Sequence, residues 1–366
     1  MKKNKRPSGI AFYLSFLLGG RGRAGLLRMF ARMKYKSLSV DVPSRLRCAE
    51  KILIILPEEP FMALQQVETV VSMVSHFSRS EITLFCEQSV AAYFKKIKGI
   101  TSILTYEKTE RFLFSRDFRT YGKVLARERF DVLFFLERAP KPALLSIVIQ
   151  SSVPLRISYE GVGDFPFFNF RVRPSENRIF MGDQNLYLLE ALNIPVQKNI
   201  RWSVSKQGME ELEQLLQEHT IDSDAELLLV DINYVNQLCG KEWASTLIQE
   251  LESRFAETQL CLYSSDTSNQ GFVNWLQTFS IPVLSDLSSS RIAALVRRSS
   301  VVISGRSLLF QLAHLLGVAA IGIFLPDEVA TMYRPTGSSK AVECGRKPDE
   351  DVSQKVIESV GELIGK

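Results

Sequence analysis

Histidine is scarce in this chain of 366 residues: His76, His219 and His314 are all there are, and none is paired at metal-ligand spacing. The five cysteines (Cys48, Cys86, Cys239, Cys261 and Cys344) are scattered, with no C-x-x-C pair among them. The two shortages argue against a metal site and against a disulfide framework. The expectation is five reduced thiols in a cytosolic protein. Long apolar runs are missing too. Residues 10–18, between Gly9 and Gly19, make a run of nine, against the ~20 needed to span a bilayer. Arg21 and Arg23 follow it with no small-residue cleavage site, which argues against a removable signal segment. Acid is nearly absent from residues 1–51, where Asp41 and Glu50 face thirteen Lys or Arg, a balance of +11. The whole chain carries +5, so the remainder holds −6. The basic character belongs to the leader, and an acidic globular part argues against nucleic-acid binding.

What the chain does have is an apolar alternation of strand and helix. It is 46% hydrophobic, as globular proteins are, and longer than one core usually supports, so two domains are expected. Residues 299–326, SSVVISGRSLLFQLAHLLGVAAIGIFLP, set the pattern. Val301, Val302 and Ile303 form a β-branched run, Ser304 and Gly305 break it, and apolar residues then recur at helical spacing from Leu308 to Gly317. Residues 319–324 are a second apolar run. Two strands apolar throughout, joined by a helix, read as a βαβ unit covered on both faces. The turn at Ser304, Gly305, Arg306 and Ser307 then lies where a strand ends and a helix begins. Free N–H groups and the helix dipole favour an anion there, and open α/β sheets bind ligands there.

The same alternation predicts strands over 51–56, 81–86, 103–106, 130–136, 155–159, 225–230 and 259–263. Helices are predicted over 61–77, 121–128, 143–149, 207–219, 243–255 and 351–364. Residues 196–205 read as a crossing segment between two doubly wound halves. In the leader, Leu26, Leu27, Met29, Phe30 and Met33 interleave with Arg28, Arg32, Lys34 and Lys36. That pattern suggests a helix lying on an anionic membrane surface; a flexible basic tail or a helix packed on the domain are the alternatives. The aromatic loop 165–170 (FPFFNF) is read as facing an acceptor or membrane, or as packing beneath the site.

The order strand, Gly turn, Q-L-A-x-x-L-G-V helix (residues 311–318) and strand ending F-x-P resembles glycosyltransferase family 9, the ADP-heptose lipopolysaccharide heptosyltransferases. The resemblance covers roughly residues 50–345. Residues 130–136 are similar to the family's Y-D-x-x-I-D-L strand, 155–161 to its R-I-G-Y turn, 185–195 to its N-x-x-L-L-E-A-L-G-I-P helix and 333–337 to its Y-G-P-x-G loop. It implies an α/β protein of GT-B type, two Rossmann-like domains facing a cleft, behind a basic amphipathic extension. The leader would be residues 1–50, an acceptor domain 51–196 and a nucleotide-sugar domain 197–366.

The implied function is transfer of a sugar from a nucleotide-sugar donor to a lipopolysaccharide or other lipid-linked cell-surface glycan. It would take place in the cytoplasm, peripherally at the inner membrane, with residues 1–36 on the anionic surface. No metal and no cofactor beyond the donor are implied, since helix N-termini and cations can take the leaving-group charge. The donor diphosphate would sit at Ser304, Gly305, Arg306 and Ser307, with Arg306 as a bidentate partner. Lys241, from a retained K-x-W (residues 241–243), and Gln311, where the family has His, would complete the donor site. The family's Gly-Asp loop is replaced by Phe61 and Met62, so Glu58 and Glu59 are the candidate bases, or else two solvated turn glutamates. Lys241 also reads as a surface lysine at a helix start. The chain departs from the family at the Gly-Asp loop, at the Pro-Gly turn (here Asp231, Ile232, Asn233), at the Asp-Thr-Gly run (here Arg306, Ser307, Leu308) and at the helix His. Four changes together leave a second reading, a catalytically silent binding or scaffold protein.

Overall fold

The computed structural model describes residues 28, 29, 31, 32, 35, 40–107, 116–139, 142–160, 167–173, 180–198, 200–222, 224–333, 338–345, 348 and 350–364. The chain divides into two compact units, Met1–Arg178 with Gln184–Gln197, and Ile179–Asp183 with Lys198–Lys366.

The elements run α1 (Val42–Arg47), β1 (Lys51–Ile55), α2 (Pro60–Leu64), α3 (Val67–His76), β2 (Glu81–Glu87), α4 (Gln88–Phe94), β3 (Ser102–Tyr106), α5 (Arg116–Glu128), β4 (Val132–Phe135), α6 (Pro142–Ser151), β5 (Leu155–Tyr159), β6 (Phe170–Val172) and α7 (Met181–Ala191). The second series is α8 (Lys206–Glu218), β7 (Leu227–Asp231), α9 (Ile232–Cys239), α10 (Lys241–Arg254), β8 (Gln259–Ser264), α11 (Gln270–Leu276), β9 (Val283–Ser285), α12 (Ser289–Arg298), β10 (Val301–Gly305), α13 (Leu308–Leu316), β11 (Ala319–Phe324), α14 (Pro326–Met332), β12 (Ser339–Glu343) and α15 (Glu350–Ile364).

Each unit is built on one six-stranded sheet, in the orders β3-β2-β1-β4-β5-β6 and β12-β11-β10-β7-β8-β9. Every pairing is parallel. Counted within its own unit, each sheet has the same strand order, third-second-first-fourth-fifth-sixth. The crossovers therefore reverse direction between β1 and β4, and again between β7 and β10. Crevices at the carboxyl ends of such strand pairs are where doubly wound sheets bind ligands. The central strands are apolar because helices cover both faces: Ile52, Leu53, Ile54 and Ile55 of β1 and Val301, Val302 and Ile303 of β10 are fully buried. Each such side chain withdrawn from water contributes about 1.5–3 kcal/mol.

Several expected elements differ in detail. The helix predicted over 61–77 is two, α2 and α3, because the chain turns at Gln65 and Gln66 and re-aims Val67, Val70 and Met73 into the core. Asp231, Ile232 and Asn233, the counterpart of the family's Pro-Gly turn, open a helix that runs from Ile232 to Cys239. Asp231 caps it by accepting the Tyr234 N–H at 3.2 Å, and it ends at Gly240. β6, β9, α11, α14 and β12 went unforeseen, being short or half-exposed, where apolar periodicity is weakest. Phe167 and Phe168 of the aromatic loop are buried in the first unit; Phe165 and Pro166 lie outside the described residues. The proposed Y-G-P-x-G counterpart is described only at Tyr333.

Most of the leader is likewise outside the described residues. Where it is described, Ala31 and Tyr35 are buried and Met29 is exposed. Tyr35 covers the guanidinium of Arg156, which lies 3.8 Å from its ring centre, so this part of the leader packs on the first unit. None of the five cysteines forms a disulfide. Among the described residues, no helix is long and apolar enough to cross a membrane. No three His, Cys, Asp or Glu side chains converge there as metal ligands.

Candidate functional site

The second unit's crevice is built from the ends of β7 and β10. Asp231 ends β7 and is 4% exposed; Ser304, near the end of β10, is fully buried. The Ser304 hydroxyl donates to Asp231 Oδ2 at 2.9 Å, tying the two strand ends together. Ser304 Oγ also shares a hydrogen bond with Ser307 Oγ, and Ser307 caps α13 by accepting the Leu309 N–H at 3.2 Å. Gly305 sits where no side chain fits: a Cβ there would collide with the Ile323 carbonyl oxygen and the Tyr234 ring. Tyr234, on α9, donates its hydroxyl to that same carbonyl at 2.8 Å. Burial raises the phenol above its ordinary value, so it remains a donor.

The turn brings four of the predicted donor residues together, and it is more self-satisfied than the sequence implies. Arg306 pairs with Glu328 of α14 at 3.3 Å, while the other Glu328 oxygen accepts the Leu325 N–H at 3.3 Å. An incoming phosphate would therefore compete with Glu328 for the Arg306 fork. Gln311 is 7% exposed and lines a cavity of about 240 Å³ on the flank of α13, with Phe180, Arg201, His314 and Met332. None of the four turn residues lines that cavity. Lys241 begins α10, beyond the whole of α9, and its ammonium is held by the Gly271 carbonyl at 3.1 Å and lies 5.7 Å from the centre of the Trp275 ring. It belongs with α11 rather than with the turn.

Asp231 gives the site a pH signature. Burial lifts its carboxyl above the ordinary value, against the lowering pull of hydrogen bonds from Ser307, Ser304 and the Tyr234 backbone. The direction favours the neutral acid, which repels a phosphate less than a carboxylate does. A raised folded value means that the folded state holds the proton more tightly than the unfolded chain, where aspartate titrates near about 3.9. The stability conferred is fully present below that value and is lost as pH rises through the window up to the folded value. Asp231→Asn is expected to remove this dependence. Urea unfolding from about pH 4 to pH 8 should show the unmutated protein losing stability relative to the variant as pH rises. Parallel curves would mean that the carboxyl titrates as it does unfolded.

The first unit's crevice lies at the ends of β1 and β4. Glu58 is 8% exposed, so it is not a solvated turn glutamate. Its backbone N–H is accepted by Glu137 Oε2 at 3.1 Å, which bridges the two strand ends. Glu59 is the residue before α2, which starts at Pro60. The two candidate bases thus belong to the first unit and the turn to the second. Sequence reasoning passed over Asp231, Tyr234 and Glu328 around the turn, and Glu137 and Arg138 after β4. Strand order finds Asp231, Tyr234, Glu137 and Arg138, since the two strands flanking each reversal must both contribute their following residues; Glu328 follows β11, one strand further out.

No family model matches the sequence, and no curated protein sequence matches it. Solved structures match in shape. A glycosyl transferase family 9 protein from Veillonella parvula superposes with a TM-score of 0.70 at 12% identity, over 86% of this chain and 97% of that one. The ADP-heptose lipopolysaccharide heptosyltransferase II of E. coli gives 0.67 at 13%, over 86% and 98%. An E. coli heptosyltransferase solved with ADP gives 0.65 at 11%, over 86% and 99%. At these identities the likeness establishes the fold. The chain is a two-unit, Rossmann-like α/β protein of GT-B type, sharing the fold of the family 9 glycosyltransferases that its motifs resemble.

Proposed function

We propose that the protein transfers a sugar from a nucleotide-sugar donor to a lipid-linked cell-surface glycan, working in the cytoplasm at the inner membrane face. The observation that carries the reading is the turn from Ser304 to Ser307. It sets an arginine, two hydroxyls and a helix N-terminus at the reversal point of the second sheet, in a fold shared with a heptosyltransferase solved with ADP. The second unit would hold the donor, its diphosphate against Arg306 and Ser307. The first unit would hold the acceptor, with Glu58 or Glu59 as base. Asp231 would stay below the phosphate as a buried hydrogen-bond acceptor for Ser304.

Arg306→Ala is expected to weaken nucleotide-sugar binding by about 1.5–3 kcal/mol, the usual worth of a hydrogen bond to a charged group. Arg306→Lys should recover part, because an ammonium cannot reproduce a planar fork. Folding should change little, since a half-exposed ion pair contributes at most about 1 kcal/mol. Calorimetry with ADP- and UDP-sugars on the three proteins measures this. Equal binding by the alanine variant would place the phosphates elsewhere.

The silent-fold reading draws on Lys241, which is turned to Gly271 and Trp275, and on the Arg306–Glu328 pair. A nucleotide-sugar panel separates the two readings, because a ligand at about 100 times its dissociation constant should stabilise the chain by roughly 2.7 kcal/mol. No shift across the panel would favour the scaffold.

The basic leader would hold the enzyme at its lipid-linked substrate. Because Tyr35 is part of the fold, the informative deletion is residues 1–27. The shortened chain is expected to lose binding to anionic vesicles, and binding by the full chain should weaken as salt rises. Equal vesicle binding by both would show that the leader is no anchor.

A further inference from the structure

The reversal point of the first sheet holds a cation with no counter-ion among the described residues. Arg138 follows β4, and its guanidinium lies 4.1 Å from the centre of the Tyr159 ring. Its Nε and Nη2 donate to Oδ1 of Asn185 at 3.3 and 3.1 Å, and its Nη1 donates to Oε1 of Gln184 at 2.7 Å. Both acceptors are neutral amide oxygens. No carboxylate among the described residues pairs with Arg138: its neighbour Glu137 has its two oxygens on the backbone N–H groups of Glu58 and Ala139. Asn185 is fully buried, and its Nδ2 has no hydrogen-bond partner.

A guanidinium carries five N–H groups in a plane; three donate to the amide oxygens and the Tyr159 hydroxyl is a further side-chain partner, leaving one. Burial draws the Arg138 pKa below its ordinary value, with only the Tyr159 phenol opposing. A charge taken partly out of water is normally paired, and this one is stacked and hydrogen-bonded in place but not neutralised. It stands beside Glu137, the residue that bridges the ends of β1 and β4, where doubly wound sheets take their ligands.

We propose that Arg138 is the anion-binding residue of the first unit, its cationic guanidinium taking a phosphate or carboxylate group of the acceptor on the N–H that its internal partners leave. Naming the acceptor as the source of the anion rests on the transferase reading; the anion site itself does not. The acceptor hydroxyl would then be placed near Glu58 and Glu59 by a charged group on the same molecule. This makes Arg138 a specificity determinant against neutral glycans.

The competing role is structural, a clip holding α7 to β4 and β5. Asn185→Asp separates the two. An aspartate there gives Arg138 an internal counter-ion and removes the orphaned amide N–H. If Arg138 is only a clip, phosphate binding is untouched. If it is an anion site, its own protein now fills it: affinity for inorganic phosphate should fall at least tenfold with no loss of melting temperature. The titration is made by calorimetry on the full chain carrying Arg306→Ala, so that the turn does not contribute. On that background Arg138→Gln should also lose at least tenfold, and Arg138→Lys should lose less. Undiminished phosphate binding in both Asn185→Asp and Arg138→Gln overturns the site. Glucose 1-phosphate then tests the source of the anion. Competition with phosphate at equal or better affinity supports a group carried on a sugar, and exclusion of the sugar phosphate overturns the acceptor assignment. If nucleotide sugars fail to bind at the turn while phosphate still binds at Arg138, the transferase reading falls and the anion site stands.

Discussion

Gly305→Ala is expected to destabilise the second unit by about 3 kcal/mol and to abolish the nucleotide-sugar binding proposed at the turn. The added methyl group would meet the Ile323 carbonyl oxygen and the Tyr234 ring. A flexible side chain can swing aside, but the carbonyl belongs to β11, paired on both sides, with Ile323 opposite Gly305 on one and Val342 on the other. The strand ends must spread, and the Tyr234 ring must shift as well. With that shift the Ile323 oxygen loses its 2.8 Å hydrogen bond. Either movement displaces Ser304 and Ser307, and with them the cap of α13. Chemical unfolding and nucleotide-sugar calorimetry report the two effects separately. An alanine variant with unmoved stability would show that β10 and β11 do not approach as closely as the structure places them.

Tyr35→Ala should be as damaging, although the sequence assigns Tyr35 to a leader. Truncating a buried aromatic residue removes about 3–5 kcal/mol. Tyr35 is 5% exposed and Arg156 beneath it is 1% exposed. The ring stacks on the guanidinium, and its hydroxyl donates to the Ile149 carbonyl at 3.1 Å. Arg156 in turn donates to the Phe167 and Val153 carbonyls at 2.7 and 2.6 Å, fixing the chain that leads into β6. Without the ring, a buried cation loses its cover and that loop loses its anchor. Tyr35→Phe keeps the stack and should lose only about 1 kcal/mol with the hydroxyl. Urea unfolding of the two variants should place alanine well below phenylalanine; equal values would show that the stack carries no weight.

Much of the fold is written in local pattern. β1, β7, β10 and β11 are continuous apolar runs because parallel strands covered by helices have no wet face, and that pattern survives in sequence without help from neighbours. Gly317 ends α13 with a left-handed φ of 69°, a conformation that glycine adopts without strain, so that boundary was legible as well. Where burial is one-sided or the element is short, the pattern fades. β12 is buried only at Val342, and α9 begins with an aspartate that reads equally well as a loop residue.

Sequence alone determined that this is a two-part α/β chain with a basic leader, and that a glycine-broken turn from strand to helix follows Ile303. Those properties depend on residues close together along the chain: their hydrophobic period, their charge, and the backbone freedom at a glycine. Only the tertiary structure decided which residues meet. Asp231 and Ser304 are far apart in sequence and 2.9 Å apart in space, because β7 and β10 are paired across a reversal in strand order. For the same reason Glu137 reaches Glu58. Lys241, which the family resemblance offered as a donor residue, follows the whole of α9 and donates to the Gly271 carbonyl. Arg306 is given to Glu328, and Arg138 is left with no counter-ion among the described residues. Such pairings are set by long-range strand order, and no local period encodes it.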